Sequence, residues 1–362
     1  MSRYQHIDSL RGVAILMVIA THLGPALHET STFLTVYGRM GVQLFFVISA
    51  LTLCLSMEKR KEEIYPISNF FIRRYFRIAP MYIVGIIIYS PMVLNYSPTD
   101  DVDSLSYLFH LTLLHGFTLD AFKSVVPGGW SIGVEFIFYI LFPIIFALVI
   151  NKGTKGNFIL LFVLFVCLSL IQNAFFQVFI PEYSSIWKYG YWAPLNQLPV
   201  FMVGIMLYRR INQSALIRLS IVGHAAFFIL TTLGSISVWH FKIPFYVALV
   251  PMLSAFSFYH LYYIFESISF LNFRLLRRIG QLSFSMYLLH FLSIMIVVNV
   301  SFLDGLRGGG IASLFVFYFL VVGLTMMLSI ITENVIELRF VALAKKIIKK
   351  REHNNSITVL PN

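Results

Sequence analysis

The sequence predicts an all-α fold, a polytopic membrane helix bundle of about ten transmembrane helices plus a re-entrant or interfacial segment, with both termini cytoplasmic. Three observations carry this. Hydrophobic residues fill 58% of the 362 positions and charged residues only 12%, against roughly a quarter charged in ordinary soluble domains. The apolar residues fall in runs that meet the ~20 residues a helix needs to cross hydrocarbon, as in IASLFVFYFLVVGLTMMLSII over 311–331. With the N-terminus inside, all of the 27 Lys and Arg except Arg39, Lys123, Lys188, Lys242 and Arg307 fall on the inner side, the asymmetry that sets membrane orientation. A β-barrel would alternate apolar and polar residues in roughly ten-residue segments, and FIFYILFPIIFALVI at 136–150 does the opposite.

In chain order, spans are placed near 11–28, 36–57, 78–95, 130–150, 157–180, 194–208, 216–239, 244–266, 280–300 and 311–333. The first has Arg3 ahead of an apolar stretch, as a secretory signal does. No A-x-A cleavage pattern closes it, so it is retained as a span. The stretch Tyr107–Thr118 is apolar but short, and counting it as a span would put most downstream basic residues outside. It is therefore assigned to a re-entrant or interfacial segment on the outer side, where protein must bury its non-helical backbone. Asp100, Asp101 and Asp103 fit an outer loop before it. Residues 1–340 form one integral-membrane domain and 341–362 a short basic cytoplasmic tail.

The formal charge of +11 collects on inner loops and tail, so a lipid bilayer is the expected partner and nucleic acid is not. Cys54 and Cys167 lie in apolar runs without a CxxC or Cys/His cluster, which leaves no disulfide framework or zinc motif. His110 and His115, five apart, sit about 140° round a helix. They do not form the i, i+4 pair of a helical metal site, and no metal is expected.

Ionisable residues at membrane depth mark functional sites by default, since a central Arg or Asp costs about 2.5–3.5 kcal/mol on insertion scales. Arg11 and His22 are eleven steps apart, about three turns, so they share one helix face some ~16 Å apart. Arg11 falls at the cytoplasmic rim and His22 near mid-membrane. A pairing of Arg11 with Asp8, a snorkelling arginine, or an interhelical bond from His22 are the plainer readings. In FIRRYFRIAP (71–80), Arg73 and Arg77 repel across i, i+4. The cluster is either a positive-inside anchor or a phosphate clamp of guanidinium forks. In GGWSIGVEFIFY (128–139), Ser131 and Glu135 stack at i, i+4, and Glu135 is a structural carboxylate or a proton-transfer group. In LSFSMYLLH (282–290), Ser283, Tyr287 and His290 fall inside the ninth span.

Together these clusters resemble the acyltransferase 3 family of integral-membrane acyltransferases, of the polysaccharide O-acetyltransferase type. The likeness runs through IDSLRGVAILMVIATH (7–22, with the Arg/Lys-x10-His motif at Arg11 and His22), GVQLFFVIS (41–49), RRYFRIAP (73–80), WSIGVEFIFY (130–139), LPVFMVGIMLY (198–208) and SFSMYLLH (283–290). Gln43 stands where the family usually has an acid, Ala50 where it has glycine, and IELRF (336–340) replaces a Glu-x-Pro pattern. No fused extracytoplasmic esterase-like domain is expected after the last span, so the acceptor is finished here or handed to a separate partner.

The resemblance implies a cytoplasmic acyl-CoA donor, most commonly acetyl-CoA, with no tightly bound cofactor. Arg73, Arg74 and Arg77 would hold the nucleotide phosphates, and Arg11 would steer the phosphopantetheine chain. His22 would be general base or transient acyl carrier. Glu135 would orient or protonate that imidazole and contact the acceptor hydroxyl, Ser131 would hold Glu135 or bond the acceptor, and Tyr287 and His290 would support from behind. The acceptor would be a hydroxyl of an extracytoplasmic or membrane-linked glycan, and the location a bacterial inner or cytoplasmic membrane. The competing reading is a transporter or flippase for a glycan or lipid-linked sugar, in which Arg and His line a pathway. No paired broken helices or inverted repeat are visible to favour it.

Overall fold

In lipid a backbone must satisfy its own hydrogen bonds, and a long apolar run does so as a helix. The computed structural model describes residues 4–27, 37–96, 103–118, 125–151, 154–180, 190–212, 219–306 and 310–358, and no strand occurs among them. Of the residues that carry the expected topology, Arg3, Asp100, Asp101, Lys123, Lys152, Lys188, Arg218 and Arg307 lie outside the described residues. The helices are α1 (Gln5–Ala26), α2 (Gly41–Lys59), α3 (Pro66–Tyr96), α4 (Ser104–Leu111), α5 (Trp130–Phe146), α6 (Lys155–Phe179), α7 (Pro194–Asn212), α8 (Ile221–His240), α9 (Tyr246–Ser267), α10 (Arg274–Gln281), α11 (Ser283–Val298), α12 (Gly310–Thr332) and α13 (Leu338–Thr358). Single π-turns, Ala147–Asn151 and Glu333–Glu337, follow α5 and α12.

Among the described residues seven helices are long and apolar enough to cross a membrane, or eight if α10 and α11, bent by 82° at their junction, act as one. Length and composition alone thus support seven or eight of the expected ten spans. Spans 78–95 and 194–208 fall on α3 and α7, both unbroken helices that are not among the seven. Helix α7 begins PLNQ and ends YRRIN, and polar ends of this kind lower the mean apolarity of a 19-residue helix without preventing it from spanning beside neighbours that satisfy them. Helix α3 carries its three arginines in its first half.

The stretch Tyr107–Thr118 becomes α4, a turn in which Leu113 takes a left-handed φ of 63°, and a 3-10 turn at His115–Phe117. Asp103 starts α4 by accepting the Ser106 N–H at 2.8 Å, the usual N-cap bond. Eight residues rise only ~12 Å, less than half of a hydrocarbon core, so this stretch is not an eleventh spanning helix.

The chain divides into two compact units, Met1–Leu51 with Thr154–Ser329, and Thr52–Gly153 with Ile330–Asn362. In the first, α1 packs on α10, α11 and α9, α8 packs on α9, and α7 lies against α6 and α9. Lipid tails are as apolar as leucine, so close approach rather than hydrophobic exclusion holds such helices. Gly280 shows it: a Cβ there would collide with the Asp8 carbonyl of α1. A buried amide network joins the helices further along. Gln43 Nε2 donates to Gln197 Oε1 at 3.2 Å and Gln197 Nε2 to the Tyr191 carbonyl at 2.7 Å. Asn196 accepts from Ser169 Oγ (2.7 Å) and Asn173 Nδ2 (3.1 Å) and donates to the Val247 carbonyl at 2.7 Å. A neutral amide at 43 can donate to Gln197, which an ionised acid cannot.

In the second unit α3 lies along α13 and α5. Asn69 Nδ2 donates to Glu63 Oε2 and to Glu352 Oε1, each at 3.0 Å. Arg351 donates to Ser68 Oγ at 2.9 Å and lies 5.2 Å over the Tyr65 ring. The region read as a basic tail is thus, through its described residues, a helix fastened to the start of α3.

Candidate active site

The first unit positions the histidines. Helix α1 is continuous from Gln5 to Ala26, so Arg11 and His22 stand three turns apart as their spacing predicts. The half-buried His22 ring lies 5.3 Å from His290 and 4.4 Å from Phe291, which itself lies 4.2 Å from His290. His290 is fully buried, and its Nδ1 donates to the Tyr287 carbonyl at 2.6 Å. A carbonyl only accepts, so this bond puts the proton of the neutral ring on Nδ1 and leaves the Nε2 lone pair free. That Nε2 is buried without a partner, the kind of orphan that a native fold keeps for a reason. Tyr287 stands edge-on to Phe45 at 6.1 Å and 5.7 Å from the His290 ring. Arg39, 4.6 Å over the Trp239 ring, lies within electrostatic reach of His22.

The second unit holds a cavity of about 500 Å³ lined by Arg60, Arg73, Arg74 and Arg77, by Lys345 and Lys349 of α13, and by Glu333, Glu337 and Glu352. Its arginines are not equivalent. Arg73 grips Glu63 with both nitrogens, at 3.0 and 2.8 Å, which offsets its repulsion from Arg77. Arg60 donates to Ser56 Oγ at 2.6 Å and sits 3.7 Å from Glu63. Arg74 has no such carboxylate grip: its Cζ lies 5.7 Å from the Phe70 ring and 5.6 Å from the Tyr139 ring, and its Nε is buried without a partner. Burial lowers the Arg74 guanidinium to about 10, so it remains a cation at neutral pH.

On α5, Tyr139 Oη donates to Glu135 Oε1 at 2.5 Å. Ser131 Oγ donates to the Gly128 carbonyl at 3.2 Å, closing the first turn. That turn is clamped by residues the helical spacing set apart. His110 and His115 stack at 4.3 Å, Tyr82 Oη is 2.9 Å from His110 Nδ1 and 3.3 Å from His115 Nε2, and His115 Nε2 donates to the Gly129 carbonyl at 2.9 Å. The separation of about 140° holds only along one helix. Helix α4 stops at Leu111, and the left-handed turn at Leu113 folds His115 back on His110. A Cβ on Gly133 would lie 2.8 Å from His115 Nε2, so the bare glycine lets the clamp close.

Of the residues the sequence singled out, the structure sets His22 beside His290 and gathers Arg73, Arg74 and Arg77 at one cavity. Arg60, Lys345 and Lys349 at that cavity, Tyr139 beside Glu135 and Tyr82 beside His110 were not singled out. Lys345 and Lys349 carry a signal, the i, i+4 spacing of one helix face, that solvated tail charge also produces.

The chain is 23% identical over 335 residues to the O-acetyltransferase OatA of Staphylococcus aureus (strain NCTC 8325 / PS 47), a match that covers 83% of this chain and 52% of that protein. It is 27% identical over 220 residues to the putative O-acetyltransferase SACOL0978 of Staphylococcus aureus (strain COL), covering 56% of this chain and 34% of that protein. The chain thus spans about half the length, or less, of these curated relatives. No solved structure matches it. The family model described as an acyltransferase domain matches residues 4–333, a stretch that takes in the paired histidines, the arginine cluster and Glu135, and the chain belongs to this family, the acyltransferase 3 family that its motifs resemble.

Proposed function

We propose that this protein is a membrane O-acyltransferase, an O-acetyltransferase in its simplest form, that moves an acyl group from cytoplasmic acyl-CoA to a hydroxyl of an extracytoplasmic or membrane-linked glycan. The observation that carries the reading is the basic cavity of the second unit, where Arg74 and Arg77 face Lys345 and Lys349. Coenzyme A is a nucleotide with several phosphate charges, and guanidinium forks suit phosphate oxygens. Arg73, committed to Glu63, shapes the cavity wall. The acetyl group and the oxygen acceptor follow the O-acetyltransferase relatives.

His22 is assigned the chemistry of the acceptor. As the hydroxyl oxygen attacks the thioester carbonyl, its proton passes to the imidazole, the C–S bond breaks as the C–O bond forms, and the proton returns to the departing CoA sulfur. An acyl-histidine on the same ring is the two-step version. His290, with its proton held on Nδ1 by the Tyr287 carbonyl, presents a lone pair beside His22. Glu135 is the carboxylate assigned to proton transfer, and Arg11 guides the pantetheine chain. Counting α3, α7 and the bent α10–α11 pair as spans, the positive-inside pattern supports cytoplasmic placement of both termini, and the bacterial relatives support a bacterial inner or cytoplasmic membrane as the location.

The test is purified protein in vesicles with labelled acetyl-CoA and extracted surface glycan. Wild type is expected to transfer label, and His22→Ala to bind CoA but transfer none. Full transfer by His22→Ala overturns the mechanism. Glycan movement across the vesicle without label transfer returns the protein to the transporter reading.

A further inference from the structure

We infer that Tyr139 is a positioning residue that couples the donor cavity to Glu135: its ring seats Arg74 and its hydroxyl holds the Glu135 carboxylate. The inference rests on the reading above, in which Arg74 binds donor phosphate and Glu135 moves protons, and assigns a role to a side chain that reading leaves unused.

The geometry gives Tyr139 two faces of work. Its phenol donates to Glu135 Oε1 at 2.5 Å, one helical turn and ~6 Å back along α5. A bond from hydroxyl to carboxylate is short and charge-assisted, and it selects one rotamer of a side chain that otherwise has several. The ring lies 5.6 Å from the Arg74 guanidinium carbon and is buried. Phe70 stands edge-on to it at 6.2 Å and stacks on Phe142 at 5.6 Å, so its position is set by α3 and α5 together. Arg74 lines the cavity while its Nε is buried and unpartnered, which makes the aromatic faces of Phe70 and Tyr139 its seat. Arg74 and Glu135 are also close enough to feel each other's charge. A plain i, i+4 contact between tyrosine and glutamate explains the hydroxyl bond alone. It does not explain why the same ring carries the one arginine of the cluster whose inner nitrogen has no partner.

The two contributions separate by substitution. Tyr139→Phe keeps the ring and removes the hydroxyl, so kcat is expected to fall on the order of tenfold while donor KM and CoA affinity stay within about twofold. Tyr139→Leu also removes the aromatic face, so donor KM is expected to rise about three- to tenfold on top of the loss in kcat. In a Glu135→Ala background, where no carboxylate remains to hold, Tyr139→Phe is expected to cost nothing further, the signature of coupled residues. CoA binding by each purified variant reports that it is folded. Wild-type kcat in Tyr139→Phe, or an equal loss with and without Glu135, overturns the inference. Full activity in Glu135→Ala alone instead removes the proton-transfer reading on which it rests.

Discussion

Arginine 73 and arginine 74 are neighbours in sequence with different employments. Arg73 holds Glu63 in a two-pronged bond, whereas Arg74 rests on aromatic faces with an unpaired inner nitrogen. Lysine keeps the charge but has neither the fork nor the flat face. Arg74→Lys and Arg77→Lys are therefore expected to weaken CoA binding about tenfold by titration, with the melting temperature little changed. Arg73→Lys is expected to do the reverse, lowering the melting temperature while the affinity moves less than about threefold. Glu135→Gln keeps the shape of the side chain and removes its ionisation, so label transfer is expected to slow on the order of 10² if proton transfer passes through it. An unaltered rate would return Glu135 to a structural carboxylate.

The elements that matter most for the site are short or terminal. The 3-10 turn at His115–Phe117 grips the first turn of α5 through the His115–Gly129 bond and through the absent side chain of Gly133. Gly133→Ala is expected to destabilise the protein by about 1–3 kcal/mol, as overpacking does, and to slow transfer by shifting the helix that carries Glu135. A thermal melt in detergent beside the transfer rate checks both. Helix α13 supplies Lys345 and Lys349 to the cavity from outside the span 4–333 that the family model matches. The double variant Lys345→Ala/Lys349→Ala is expected to weaken CoA binding several-fold and to flatten its dependence on salt, because two exposed charges no longer attract phosphate. Unchanged affinity would leave these lysines as membrane-surface anchors.

At the scale of the whole molecule, orientation follows from charge rather than from packing. The positive-inside partition predicts that a reporter fused after Asn362 reads cytoplasmic and one inserted at Asp101 reads outside. A reporter near Lys155 found outside would make the stretch around α4 a crossing segment and overturn the assignment of both termini. The same balance of forces explains why α7 is not among the seven helices that qualify by length and composition alone. Hydropathy counts residues one by one, while α7, with Asn196 and Gln197 fully buried in a shared amide network, satisfies its polar groups through neighbours.

The sequence by itself determined what depends on local period and composition: helices rather than strands, Arg11 and His22 on one face of α1, the clustered arginines, and the motifs that name the family. Tertiary structure alone decided what depends on residues distant along the chain. It paired Arg73 with Glu63 across the turn after α2 and left Arg74 on the Tyr139 ring. It brought His290 to His22 from 268 positions away, stacked His110 on His115 through a left-handed turn, and laid α13 against α3. Helical periodicity is a property of neighbours, and a helix wheel carries no information past the residue where the helix stops. Which charge is spent on a partner and which remains for a ligand is set by packing, because only contact determines how the free energy of burying a charge is offset.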